Sequence, residues 1–143
     1  MLKITRVETV ALANAITALS GRAVEASDGD KKVVIVKPYD IDGPTRYALA
    51  KNRRALKTTL TEIEDEQADL NTRFGLAKES SPKLEGEALT KARLEFQKAF
   101  STFMRAEVEI TEFRLKASDL KINTNQLDPT TIEGLLPILD GEV

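Results

Sequence analysis

The apolar positions of this chain change period several times, and each change marks an element. Thr5 followed by Glu8 is the reciprocal capping pattern that opens a helix. The run from Val7 to Leu19 is then apolar nearly all round and stops at Ser20-Gly21. This predicts a helix within residues 1–21 that is buried on more than one side. Asn14 lies in that surface, and a buried asparagine requires a hydrogen-bond partner. Two readings stay open. The helix is an internal core element, or part of its small-residue surface packs on another copy of the chain with Asn14 setting the register. Residues 22–41 read as a β-hairpin. Ala23, Val24, Glu25 and Ala26 form one strand, Ser27-Asp28-Gly29-Asp30 the turn, and residues 31–37 a second strand rich in β-branched side chains. Pro38 lacks a backbone donor and ends the ladder.

The period then lengthens to that of a long helix. Asp42 is a cap and Pro44 fits the first turn, where a missing N–H costs nothing. Leu49, Leu56, Leu60, Ile63, Leu70 and Phe74 follow at spacings of three, four or seven, with Arg53 and Gln67 in the two gaps. Gly75 suits the left-handed stop. After a polar connection containing Ser80-Ser81-Pro82, Leu89, Ala92, Phe96, Ala99, Phe103 and Ala106 alternate by three and four. Large and small side chains alternate as well, which suits interdigitating helices. Residues 43–106 are therefore predicted to form a long antiparallel helical hairpin. Gly86 leaves the start of its second helix open.

Val108-Glu109-Ile110-Thr111 alternates like a strand, and Phe113-Arg114-Leu115 continues with a shift of one, so residues 107–118 form a strand region. Pairing with the earlier hairpin would make a small antiparallel sheet. Residues 116–126 are polar and read as loop. Asp128-Pro129 starts a short helix, and Ile132, Leu135, Leu136, Pro137, Ile138 and Leu139 make residues 127–143 a tail that must dock on its own domain or on a neighbour. The expected fold is α+β in a single domain over residues 1–143. It comprises an N-terminal helix, a small antiparallel β-sheet, a long antiparallel helical hairpin and a short C-terminal helix.

Composition removes most chemistries. The 143 residues include no cysteine and no histidine, which excludes thiol nucleophiles, histidine bases, disulfides and zinc sites of the usual ligand types. No glycine-rich phosphate loop or serine nucleophile motif is present, and the carboxylates are dispersed, so no catalytic residue is assigned and an enzyme is not expected. No cofactor is implied. Asp28, Asp30, Asp40 and Asp42 flank the second strand. A pair such as Asp40 and Asp42 suits a hard cation, but the full calcium-loop pattern is missing, and turn and capping roles are expected instead of a metal site. No apolar stretch reaches membrane-spanning length, and the run 9–20 does not read as a signal peptide. The lack of disulfides fits a cytoplasmic setting.

Charge adds one feature to the picture. Arg46, Lys51, Arg53, Arg54 and Lys57 crowd the start of the long helix, and Glu62, Glu64, Asp65, Glu66 and Asp69 follow. The helix dipole favours the reverse order by about 0.3–1 kcal/mol per charge near an end. A negative partner for the cluster is therefore expected. It is internal, with Glu107, Glu109 and Glu112 brought alongside by the antiparallel hairpin, or it is an external anion. For an external anion the candidate ligand-binding residues are Tyr39, Arg46, Tyr47, Lys51, Asn52, Arg53 and Arg54. Arginines clamp phosphates, tyrosines stack on bases and asparagine reads a base edge. Long nucleic acid is disfavoured by the acidic residues that follow and by a net charge of −2.

Three segments, 11–19 (ALANAITAL), 38–52 (PYDIDGPTRYALAKN) and 132–139 (IEGLLPIL), together resemble small uncharacterised proteins encoded by tailed bacteriophages and prophages. Their order covers almost the whole chain. The resemblance implies a phage origin and action in the host bacterial cytoplasm, and it carries over no catalytic residue. Beside it the expected function is a non-catalytic binding protein, homo-oligomeric, that sequesters a small anionic nucleotide signal of host defence. The alternative is a phage structural or assembly protein, or an inhibitor that grips a host or phage protein.

Overall fold

The computed structural model describes residues 1–80 and 82–142. Ser81 of the expected connection and Val143 of the expected tail lie outside the described residues. In order, the elements are β1 (Leu2–Thr5), α1 (Arg6–Ala18), β2 (Arg22–Asp28), β3 (Lys31–Lys37), α2 (Gly43–Arg73), α3 (Gly86–Arg105), β4 (Glu107–Ile110), β5 (Leu115–Lys116), α4 (Ile122–Asn125), α5 (Pro129–Leu135) and β6 (Leu139–Asp140). The fold is α+β with a long helical hairpin, as expected.

The capping box forms as read: the Thr5 hydroxyl accepts from the Glu8 N–H, and the Thr5 N–H donates to the Glu8 carboxylate, each at 3.1 Å. The residues before it are a strand rather than the first part of a helix. β1 pairs antiparallel with β4, Leu2 opposite Ile110 and Thr5 opposite Glu107. The strand after the helical hairpin thus joins β1, not the β2–β3 hairpin, because Ile4 and Ile110 then share the core. The sheet expected as one is three separate two-stranded ladders. The third, β5 with β6, is parallel.

Around α1 the chain builds its core. Leu12, Ala13, Ala15 and Ile16 are buried against α2 and α5, so the helix is covered on more than one side. Asn14 is exposed and needs no partner. Gly134 sets the distance between α1 and α5. A Cβ there would stand 2.7 Å from the Ala11 carbonyl oxygen and 2.9 Å from the Ala15 Cβ. Only a residue without a side chain permits this approach. The tail docks on its own domain, with Leu135 and Ile138 fully buried. Each such side chain contributes about 1.5–3 kcal/mol. The stretch 116–126, expected to be loop, is instead a 3-10 turn (Ala117–Leu120) followed by α4. Ala117, Leu120 and Asn125 are buried there, too few apolar positions to show as a period.

Asp42 caps α2, accepting from the Thr45 N–H at 2.7 Å, and Gly75 closes it at φ +73°. The buried seam is shifted from expectation. Leu49, Leu56, Ile63 and Leu70 are buried, but the intermediate positions are Asn52 and Thr59, while Arg53 and Gln67 are exposed. Leu49 and Leu56 belong to the central core, and Ile63 and Leu70 pack outside it. The far half of the helical hairpin is therefore a two-helix projection. On α3 only Ala92 is buried, and Phe96, Phe100 and Phe103 form a half-covered row with ring centroids 5.6 and 6.5 Å apart.

Candidate functional site

The seven candidate ligand residues separate into three groups. The first works inside the fold. Arg46 donates from Nε to the Ile41 carbonyl at 3.0 Å and from Nη2 to the Tyr39 carbonyl at 2.5 Å, so its guanidinium ties down the loop entering α2. Tyr39 packs partly buried against the core. Asn52 is 2% exposed. Its Nδ2 donates to the Ala48 and Phe113 carbonyls at 2.9 and 2.7 Å, and its Oδ1 accepts from the Phe113 N–H at 2.9 Å. All three of these polar positions are thereby satisfied internally, and Asn52 reads a backbone, not a base.

Sequence reasoning missed a second asparagine of the same kind. Asn125 accepts from the Asp40 N–H at 2.8 Å and donates to the Asp40 and Leu120 carbonyls at 3.1 and 2.7 Å. The two buried asparagines pin the segment after β4 and the segment after β3. Asp40 also meets Lys121 at 2.9 Å, a contact that raises the Lys121 pKa above its ordinary value. The Asp42 pKa lies below the usual carboxylate value, chiefly because Thr45 hydrogen-bonds the charged form. Asp40 and Asp42 thus serve as ion-pair partner and helix cap.

The second group is Tyr47 with Lys51. Tyr47 is 57% exposed, and the Lys51 ammonium lies 4.5 Å from its ring centroid and 5.1 Å from that of Phe113. Both distances fit cation–π attraction. The third group is Arg53 and Arg54, joined by Lys57, which shares their side of the helix at i, i+3 and i+4 spacing. With Ala50, Leu60 and Glu64 they line a shallow hollow of about 530 Å³ along α2 alone. Among the described residues no carboxylate pairs with these three cations. Of the three glutamates expected to neutralise them, Glu109 meets Lys3 at 3.7 Å and Glu112 the N-terminal amine at 3.8 Å, and Glu107 forms no ion pair among the described residues.

Two further surfaces carry uncovered apolar groups. The β2–β3 hairpin stands away from the core as an arm whose strands pack mainly on each other. Val34 and Val36 are 69% and 70% exposed, and Val33 and Ile35 are exposed as well. Gly21, at its foot, has no room for a Cβ because the Val36 side chain fills that place. α1 and α5 frame a groove of about 560 Å³. Val7, Ala11, Leu136 and Pro137 line it together with the acidic Glu8 and Glu133.

Among the described residues no group of three or more His, Cys, Asp or Glu side chains gathers as a metal site, and no helix is long and apolar enough to cross a membrane. The chain matches no family model, and neither the curated proteins nor the solved structures give a match.

Proposed function

We propose that the chain is a non-catalytic binding protein of phage type that works by protein–protein contact, with self-association as its first use. The supporting observation is the β2–β3 arm. A two-stranded hairpin is marginally stable alone in water, and this one leaves a run of branched apolar side chains and both strand edges without cover. Such surfaces belong at interfaces. The half-covered phenylalanine row of α3 points the same way. Sedimentation velocity over a concentration series tests the proposal. A defined oligomer, or open-ended growth with concentration, is expected. A monomer at every concentration up to about 1 mM, where association is worth only about 4 kcal/mol, overturns self-association.

A second reading rests on Arg53, Arg54 and Lys57. Three cations that share one hollow and have no carboxylate partner among the described residues suit a small anion, so capture of a nucleotide signal of host defence in the bacterial cytoplasm remains the alternative. This reading has lost the base-reading asparagine and one arginine clamp to the fold. Calorimetry with linear and cyclic nucleotides decides it: heat abolished by Arg53→Ala/Arg54→Ala supports capture, and no heat from any of them ends it.

A further inference from the structure

Of the nine large apolar side chains exposed among the described residues, six lie in two places: Val33, Val34, Ile35 and Val36 on β3, and Val7 and Leu136 at the α1–α5 groove. The two places are complementary in charge. The register puts Val33 opposite Ala26 and Ile35 opposite Val24, which makes one apolar face. That face is bounded by Lys37 opposite Arg22 at one end and by Lys31 opposite Asp28 at the other. It therefore has an apolar centre and an excess of positive charge at its ends. The groove is lined by apolar side chains and two glutamates, with no basic lining residue among the described residues. The opposite face of the arm fits less well, since Glu25, across from Val34, offsets Lys32 and leaves that face without an excess of positive charge.

Within one chain the arm does not pack extensively on α1 or α5. Resting on the contact reading above, we propose that the arm of one copy docks in the α1–α5 groove of a second copy, through the face that carries Val33 and Ile35. The donor and acceptor are different surfaces, so the contact is head-to-tail. It repeats until the rotation closes a ring, or it continues as a filament.

The chain has no cysteine, so single introduced cysteines report without interference. Ile35→Cys protein is mixed with differently tagged Leu136→Cys protein under mild oxidation. A disulfide between the two tagged copies is expected, and the double variant should give a covalent ladder or closed ring. Val34→Cys, on the other face, should not link to Leu136→Cys. Charge supplies a second measurement. Glu133→Lys should weaken association roughly tenfold, and Lys31→Glu/Lys37→Glu on the arm should restore most of it. Linkage of Ile35→Cys only to itself, linkage by Val34→Cys in its place, or assembly with no linkage at all each overturns the groove while leaving self-association standing. A monomer at all concentrations overturns both.

Discussion

Leu12, Ala15 and Ile16 of α1 are almost wholly buried, whereas Val34 and Val36 of β3 keep 69% and 70% of their surface. Both stretches are dense in apolar side chains, so composition does not separate them. What separates them is the number of elements each is able to lean on. α1 has α5 on one side and α2 on another, brought close by Gly134 and by the antiparallel return of the chain. The arm consists of two strands, and a pair of strands covers neither of its own faces. The same hydrophobic free energy that builds the core is therefore left available at the arm, where association is able to use it.

The comparison is sharpest in mutational energies. Leu12→Ala should cost about 3–4 kcal/mol in urea unfolding, because the site is closed on several sides and collapses poorly. Asn52→Ala should cost about 2–3 kcal/mol by stranding the Phe113 backbone donor and acceptor. If nucleotide reading were its role instead, stability would be unchanged and only binding would fall. Gly134→Ala should cost about 2 kcal/mol by forcing α5 away from α1, with a matching loss of arm docking. Asp42→Ala should lower the melting temperature slightly at neutral pH and not in acid. The depressed Asp42 pKa means the capping contribution is present above the ordinary carboxylate value and is lost as pH falls through the folded value. Val33→Thr on the arm should change monomer stability by no more than about 0.5 kcal/mol while weakening association. A large stability loss there would place the arm with the core and break the comparison.

Much of the fold was legible along the chain. The capping box, the Asp-Gly hairpin, the Asp42 cap and the Gly75 stop were all read from local residue types, and all form. The candidate site was less legible. Tyr39, Arg46 and Asn52 look like ligand residues by type, yet their polar or aromatic groups are taken up by loop and core. Arg53 was placed in the seam by the spacing of the leucines around it, but Asn52 enters the seam instead and satisfies a backbone segment distant in sequence. The pairing of β4 with β1 had the same cause, a partner chosen by core geometry and not by proximity in sequence.

Local rules act over a few residues, so caps, turns and helix periods depend only on neighbours, and the sequence by itself determined them here, along with the absence of thiol and imidazole chemistry. Which polar side chains are consumed within the fold, which apolar faces find a cover and which cations are left without a partner depend on long-range packing. Each of these is a competition among distant groups for the same space and the same hydrogen bonds, and only the tertiary structure decided it. That competition leaves Arg53, Arg54 and Lys57 unpaired among the described residues, and it leaves the β2–β3 arm uncovered.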